Sequence, residues 1–315
     1  MTPSPDLNAL PLPQLYSALS SSGTIDALLR IARDEDLGDA GDITTAACFD
    51  EASRNQPVQA RIIARRDCIA AGLATLDDLN RVFGSGVDIE AHIEDGHPVR
   101  SGACMAHLTG TRQTILTMER TALNLIGRLS GIATLTRKFV DRVRAEAPES
   151  ATRILDTRKT TPGLRLLEKY AVRCGGGWSH RIGLHDAILI KDNHIAGIPP
   201  HQLGKFVRLA AARARGARMP NFIEVEVDTL DQLDALLALE KGVVDIILLD
   251  NMDPATVEKA VTMRDASSSR PLLEASGGIT IENIGEMART GIDRISIGAL
   301  THQATSIDCA LDFPS

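Results

Sequence analysis

The second half of the chain repeats one pattern that limits its fold: a short apolar segment, polar residues at its end, then a longer segment with helical periodicity. The apolar segments, each predicted to be a strand, are 153–156, 187–190, 222–227, 245–249, 272–275 and 294–297. The helical segments are 200–216, 230–239, 254–263 and 281–290. Strand–helix–strand repeats build a parallel sheet, and this many repeats indicate a closed or nearly closed α/β barrel. In such barrels the chemistry lies at the carboxyl ends of the strands.

The first half of the chain is organised differently. It is divided into a Pro- and Ser-rich tail at 1–23, a helix at 24–37, short strands within 58–109, and two helices at 111–129 and 132–145. The tail is predicted to be loose because its composition is typical of unpacked termini. Gly38 is expected to end the first helix, and Gly131 is expected to separate the last two.

Composition excludes several classes of protein. The formal net charge of −7 over 315 residues argues against nucleic acid or an anionic membrane surface as the main partner. No apolar run is long enough for a membrane span, and the N-terminus lacks the pattern of a secretory signal. The five cysteines are scattered without a CxxC pair, which favours reduced thiols in a cytoplasmic protein over disulfides or a zinc site. His92 and His97 lie in a predicted polar turn, where a metal-ligand role is disfavoured.

Cations, glycines and carboxylates recur at the predicted strand ends. The cationic set, Arg158, Lys159, His180, Arg181 and Lys191, suits carboxylates and phosphates. Ser276, Gly277, Gly278 and Gly298 offer backbone N–H groups to a phosphate. Glu226 and Asp250 are hard oxygen ligands suited to Mg2+ held jointly with a pyrophosphate. One such residue is usually a surface residue, but their repetition predicts a site for a phosphorylated sugar and an anionic second substrate.

Glu224 and Glu226 compete for the same carboxylate role. They are two residues apart in a predicted strand, so both side chains point to the same side. Glu226 is nearer the carboxyl end and is preferred, while Glu224 remains the second choice.

The chain resembles the quinolinate phosphoribosyltransferase family. The longest matching segment is DTRKTTPGLRLLEKYAVRCGGGWSHRIGLHDAILIKDNHI at 156–195. Further pieces follow the family's order: EDLGDAGDITT (35–45), ERTALNLIGRLSGIATLTRK (119–138), IEVEVDTLDQLD (223–234), DIILLDNM (245–252), LEASGGIT (273–280) and RISIGALTH (294–302). The resemblance covers nearly everything from about residue 24 onwards.

The resemblance implies an α/β fold with two domains and a homodimer. An N-terminal α/β sandwich domain would span 24–133, with 303–315 returning to it, and an open, irregular α/β barrel would span 134–302. The implied enzyme is a pentosyltransferase that joins quinolinate to the phosphoribosyl group of phosphoribosyl pyrophosphate with loss of CO2. It needs Mg2+ and no organic cofactor.

The resemblance also implies residue roles. Arg120 would reach the partner subunit's active site, and the cationic set with Thr157 would hold quinolinate and the phosphoribosyl donor. Glu226 and Asp250 would face the ribose and the metal, with Lys159 and Lys191 as further catalytic residues. The 5′-phosphate would lie against Ser276, Gly277, Gly278, Gly298 and Ala299.

Two departures from the family pattern leave the acceptor open. Gly127 replaces a glutamine in the LQRLSG run, and Ser179 replaces the asparagine of GGGxNHR. The alternatives are a homologue acting on another pyridine or azole acid and a phosphate-sugar binding barrel without turnover. Trp178, beside the glycines, is interpreted equally well as a lid or as packing.

Overall fold

The computed structural model describes residues 6–217 and 219–314. They form two compact units, one built from 138–158 and 178–298, the other from 6–137, 159–177 and 299–314. The predicted domain boundaries stay predictions. No described helix is both long enough and apolar enough to cross a membrane.

The elements are numbered in chain order. The strands are β1 Pro57–Ala64, β2 Cys68–Ile69, β3 Asp88–Ala91, β4 Pro98–Val99, β5 Cys104–Thr111, β6 Arg153–Leu155, β7 Ile188–Ile190, β8 Ile223–Val227, β9 Ile246–Asp250, β10 Leu272–Ser276, β11 Arg294–Ser296 and β12 Cys309–Asp312. The α-helices are α1 Leu12–Ser20, α2 Thr24–Leu37, α3 Ile43–Cys48, α4 Glu51–Arg54, α5 Leu76–Val82, α6 Arg112–Glu146, α7 Arg165–Cys174, α8 Asp192–Ile195, α9 Pro200–Ala217, α10 Leu230–Leu237, α11 Pro254–Ala266, α12 Ile284–Arg289 and α13 Ala299–His302.

Six parallel strands form the sheet of the first unit, in the order β6-β11-β10-β9-β8-β7. The edge strands β6 and β7 do not pair with each other among the described residues, so the sheet is open. All five residues of β8 are buried, because the sheet is covered on both faces. The predicted α/β fold with an open barrel-like sheet is confirmed.

Side-chain caps define where two of the crossover helices, α10 and α11, start. The Thr229 hydroxyl accepts from the Gln232 N–H, and the Gln232 side chain accepts from the Thr229 N–H. Asp253 caps α11, where Pro254 occupies the first turn. Such caps satisfy N–H groups that have no partner inside the helix, so each helix begins at a fixed residue after its strand.

The second unit contains an antiparallel sheet in the order β12-β1-β5-β3. Its strands fall largely within the segment where short strands are predicted, and α2 has the predicted bounds. The prediction of a loose tail is wrong for Leu12–Ser20, which form α1 and bury Leu15 and Leu19. The sparse apolar residues of this segment have helical spacing, which its proline and serine content conceals. Residues 1–5 lie outside the described residues.

The predicted break at Gly131 is also wrong, because α6 is one helix of 35 residues. A Cβ at Gly131 would collide with the carbonyl oxygen of Thr305, and one at Gly127 would lie 2.6 Å from the carbonyl oxygen of Ile307. The Ile307 N–H donates to the Gly127 carbonyl over 2.9 Å. These glycines therefore admit a neighbouring backbone and do not end the helix. This contact explains why glycine suits position 127 of this chain.

Candidate active site

The carboxyl ends of the six parallel strands bring most of the predicted residues to one edge of the sheet. Asp250 ends β9 directly beside Ser276 at the end of β10, and Val227 at the end of β8 is paired with Leu249. Lys191 follows β7, and Arg158 and Gly298 follow β6 and β11 closely in the chain. The sheet therefore collects residues from distant parts of the sequence at the edge where chemistry is expected.

Lys191 and Glu226 form an ion pair across β7 and β8. The Lys191 Nζ donates to Glu226 Oε2 over 2.6 Å, and the Glu226 side chain is only 8% exposed. A nearly buried carboxylate needs such a partner because burial without one is costly. No described residue hydrogen-bonds to Glu226 Oε1, which leaves that oxygen for a ligand.

Hydrogen bonds from Asn251 link the carboxyl ends of the parallel strands β9 and β10. The Asn251 amide side chain donates to Asp250 Oδ2 over 2.8 Å, and the Asn251 N–H donates to the Ser276 carbonyl over 2.8 Å. A Cβ at Gly277 would collide with the Asn251 side chain, and its φ of +90° favours glycine. Gly278 has open space around it, so a ligand can approach this backbone.

A cluster of four charged residues, three of them buried, connects β8, β10 and β11 with the segment that contains His180. The His180 Nε2 is 2.8 Å from Glu224 Oε2 and 3.3 Å from Glu274 Oε1. The Arg294 Nε donates to Glu274 Oε2 over 2.6 Å. Glu224 and Glu274 have no exposed surface, and His180 is 8% exposed. We call these four residues, His180, Glu224, Glu274 and Arg294, the charge quartet.

The residues of the charge quartet shift one another's pKa values. Burial by itself would lower the pKa of His180, but Glu274 and Glu224 outweigh burial and raise that pKa to about 10. Burial and the neighbouring Glu274 raise the pKa of Glu224. Burial also acts to raise the pKa of Glu274, but His180 and Arg294 lower it to about 2. His180 is therefore an imidazolium at neutral pH, and Glu224 is engaged with His180 inside the sheet. Of the two competing glutamates, Glu226 has the oxygen that a ligand can use.

Arg181 adds a second buried cation next to His180. Its side chain donates to the Ala187 carbonyl over 3.3 Å, and its backbone nitrogen lies 2.7 Å from His180 Nδ1. Burial, followed by repulsion from Arg158, lowers the pKa of Arg181. Arg158 and Arg181 therefore both contribute positive charge to this part of the site.

Two further residues beside His180 are held by β6. Asp156 Oδ1 accepts from the His180 N–H over 2.8 Å, which fixes the backbone of this segment. Trp178 forms a parallel bridge with Leu155, and the Arg153 guanidinium lies 4.0 Å from the centre of its indole ring. Trp178 therefore packs against β6, which supports packing over a lid. Ser179, which lies between Trp178 and His180 in the chain, is also buried.

Arg120, Lys159 and Ala299 belong to the other compact unit. Arg120 lies on α6 with its side chain 65% exposed, 4.0 Å from Glu119. Lys159 is exposed, and its carbonyl accepts from the Thr301 hydroxyl over 2.7 Å. The roles predicted for these three residues, for Thr157 and for the other residues of the candidate site stay predictions.

Sequence reasoning missed Glu274 and Arg294. Glu274 lies between Leu273 and Ala275 in the middle of a predicted buried strand, where an unpaired carboxylate would be unstable. A carboxylate at this buried strand position is the sequence signal that could have revealed Glu274, because it implies a cationic partner. Arg294 begins a strand, so the sequence offered only a surface cation there.

The fold and the site together define an α/β protein with cationic and acidic side chains gathered at the carboxyl edge of a parallel sheet. Residues 42–130 match the family model described as quinolinate phosphoribosyl transferase, N-terminal domain, and residues 132–312 match the model of its C-terminal domain. The chain therefore belongs to the quinolinate phosphoribosyltransferase family, and the family prediction is confirmed.

Curated relatives and solved structures agree with this membership. The nicotinate-nucleotide pyrophosphorylase [carboxylating] of Mycobacterium leprae is 43% identical over 287 residues, covering 90% of this chain and 95% of the relative. A probable enzyme of the same name from Bacillus subtilis is 42% identical, covering 88% of this chain and 89% of the relative. The nicotinate-nucleotide pyrophosphorylase structure from Francisella tularensis matches with a TM-score of 0.82 at 34% identity, covering 99% of this chain and 100% of that chain.

Proposed function

We propose that this protein transfers the phosphoribosyl group of 5-phosphoribosyl 1-pyrophosphate to quinolinate. The products are nicotinate mononucleotide, CO2 and pyrophosphate, as a step in the biosynthesis of NAD. The names of its relatives support this reaction and the predicted class of pentosyltransferase. Among the structural observations, the buried Arg181, whose pKa Arg158 helps to lower, supports the proposal most, because the two cations would suit a dianionic acceptor.

The reaction breaks one bond in each of two stages. The ring nitrogen of quinolinate bonds to C1 of the ribose while the C1–oxygen bond to pyrophosphate breaks. The bond from C2 of the ring to its carboxylate then breaks. Its electron pair stays on C2, where the positively charged ring nitrogen stabilises it. CO2 leaves, and a proton takes its place.

The cations of the site would position the acceptor. Arg158, His180 and Arg181 would face the two carboxylates of quinolinate, and Lys159, Lys191 and the partner subunit's copy of Arg120 would complete the cationic lining. His180 is suited to this role because the charge quartet keeps it charged throughout the physiological pH range. Holding both substrates in one orientation supplies a large part of the rate enhancement.

Carboxylates and backbone groups would hold the donor. Glu226 and Asp250 would stabilise the positive charge that develops on the ribose as pyrophosphate leaves. Gly278 presents its backbone to open space just after β10, beside Gly277, which suits a 5′-phosphate. Ser276, Gly298 and Ala299 would complete that phosphate site.

Magnesium fits the carboxylates at this edge. Glu226 and Asp250 are on adjacent strands and on the same face, and each has one carboxylate oxygen bonded to a neighbouring side chain. The second oxygen of each suits a hard divalent ion. Bound Mg2+ would neutralise charge on the leaving pyrophosphate.

A homodimer and a cytoplasmic location complete the proposal. The exposed side chain of Arg120 on α6 is compatible with a role in a neighbouring subunit. The five free cysteines support a reducing compartment.

A panel of acceptors tests the acceptor assignment. Quinolinate should support pyrophosphate release, and other pyridine or azole acids should not. Faster release with another acid would favour the alternative homologue. Tight binding of quinolinate and phosphoribosyl pyrophosphate without any product would favour the non-catalytic barrel.

A further inference from the structure

Three potential metal ligands meet on the antiparallel sheet of the second unit. His92, Cys104 and His107 each place a ligand atom within 4.8 Å of the other two. The two imidazole rings lie edge to face with their centres 4.3 Å apart. His97, the other histidine of the HIEDGHP turn, is not a member of this cluster.

A β-bulge creates this arrangement. Along a regular strand, Cys104 and His107 would point to opposite faces because they are three residues apart. The ladder between β1 and β5 pairs Ile62 with Ala106 and then Ile63 with Cys104, so Met105 is an extra residue. Met105 and Ala106 are both buried, and Cys104 and His107 consequently share the outer face. Bulges of this kind re-aim side chains at functional sites.

The edge strand supplies the third ligand. Glu90 of β3 is paired with His107, and the N–H of His92, two residues further on, donates to the Met105 carbonyl over 2.9 Å. His92 therefore lies on the same face as His107, opposite the bulge. The backbone of all three residues is fixed by the ladder, so metal binding would need only side-chain adjustment.

We propose that His92, Cys104 and His107 form a binding site for Zn2+ or a similar borderline divalent ion, with water in the fourth position. Two imidazoles and one thiolate are ligands that zinc prefers over magnesium, and three protein ligands with an open fourth position are an established form of zinc site. The ion would tie the edge strand β3 to β5. The site is separate from the carboxylates proposed for Mg2+ and does not depend on the proposed reaction.

The spacing of these ligands in the sequence matches no common zinc-binding motif. The ligands are separated by 11 and 2 intervening residues and form no CxxC pair, so a motif search finds nothing. Burial raises the pKa of the Cys104 thiol, although Arg61 acts in the opposite direction. Metal binding would therefore release a proton from this thiol.

Cobalt provides a direct spectroscopic test on the full-length, chelator-treated protein. With excess Mg2+ present to occupy oxygen-rich sites and a phosphine keeping thiols reduced, Co2+ is added in steps. One equivalent should produce the near-ultraviolet absorption of thiolate-to-cobalt charge transfer, and Zn2+ should displace it. Cys104→Ser should abolish this band, and His92→Gln or His107→Gln should weaken Co2+ binding roughly a hundredfold.

Matched controls separate this site from general metal affinity. His97→Gln and Cys48→Ser change exposed residues outside the cluster and should bind Co2+ as the wild type does. Zn2+ at a hundredfold excess over its Kd should raise the Tm of the wild type by about 5 °C, and this rise should disappear in His92→Gln. Since His92 is exposed, its replacement should leave the fold intact. Absence of the band in the wild type, or an unchanged band in either histidine variant, overturns the proposal.

Discussion

At the residue scale, the charge quartet sets the electrostatics of the candidate site. Two carboxylates and two cations neutralise each other inside the sheet, so His180 can stay charged although it is almost fully buried. An ion pair of this kind adds little to stability compared with apolar packing, but removing one member leaves an uncompensated charge. The quartet is therefore better explained by the charge it maintains than by stability.

Replacing Glu274 tests that explanation. Glu274→Gln should lower the pKa of His180 from about 10 because the carboxylate that most strongly opposes the effect of burial is lost. The variant should also lose about 3–5 kcal/mol of unfolding free energy. Histidine proton resonances followed by NMR against pH measure the first effect, with His180→Gln used to assign the signal. An unchanged His180 pKa would contradict the role given to Glu274.

The same shifts predict how stability depends on pH. The pKa of His180 is raised above its ordinary value of about 6.5, so its contribution is complete below about pH 6.5 and lost as pH rises towards 10. The pKa of Glu274 is lowered, so its contribution is complete above about pH 4.5 and lost as pH falls towards 2. Urea unfolding across this range should show a combined contribution of His180 and Glu274 that is largest between about pH 4.5 and 6.5. Its slope above pH 6.5 should be shallower in Glu274→Gln.

Arg181 carries the prediction about acceptor binding. Arg181→Ala removes a charge-assisted hydrogen bond to an acidic ligand, worth about 1.5–3 kcal/mol, so kcat/KM for quinolinate should fall by roughly tenfold to more than a hundredfold. Lys159→Ala should act in the same direction. Arg208→Ala is the matched control, because Arg208 is an exposed residue of α9 paired with Glu240 at 3.1 Å. Normal turnover by a correctly folded Arg181→Ala variant would place the pocket elsewhere.

At the element scale, the helices and strands of the parallel sheet follow the sequence pattern closely, and the exceptions have identifiable causes. Each of the six strands matches a short apolar run because burial on both faces leaves little freedom of composition. Gly131 was misinterpreted as a helix break, since no local signal reveals the Thr305 backbone that packs against it. The candidate site could be predicted to a similar extent. Its residues at strand ends follow from the sequence pattern. Glu274 and Arg294 do not, because their pairing depends on the order of the strands in the sheet.

Glycine replacements in two helices test the account of α6. Gly131→Ala should destabilise the protein by about 1–3 kcal/mol, because the added Cβ collides with the Thr305 carbonyl and overpacking outweighs the gain in helix propensity. Gly216→Ala, in α9 with open space around it, should be neutral or stabilising by up to about 1 kcal/mol. Chemical denaturation measures both. Equal stabilisation by the two replacements would show that Gly131 has no packing role.

At the scale of the whole molecule, the proposed dimer makes a quantitative prediction. Arg120→Ala and Lys191→Ala should each inactivate their homodimer. A mixed dimer should have one doubly damaged site and one intact site if Arg120 serves the partner subunit. Random exchange makes half the dimers mixed, so activity should recover to at most about a quarter of wild type. Mixed dimers that form without any recovery would place Arg120 in its own subunit's site.

Magnesium dependence is the second prediction at this scale. Turnover should stop after exhaustive chelation and return with Mg2+, because the leaving pyrophosphate and the carboxylates Glu226 and Asp250 share the ion. Zn2+ at the level that saturates the site on the antiparallel sheet should not replace Mg2+. Full activity in the chelated enzyme would remove the metal from the reaction.

The most direct test of the central claim follows the fate of the 2-carboxylate of quinolinate. Quinolinate labelled at that carboxylate is incubated with phosphoribosyl pyrophosphate, Mg2+ and the full-length protein, and labelled CO2, pyrophosphate and nicotinate mononucleotide are measured. The account predicts that all three appear in equal amounts and that none appears without phosphoribosyl pyrophosphate. Pyrophosphate without labelled CO2, or no turnover of quinolinate by the folded protein, would contradict it.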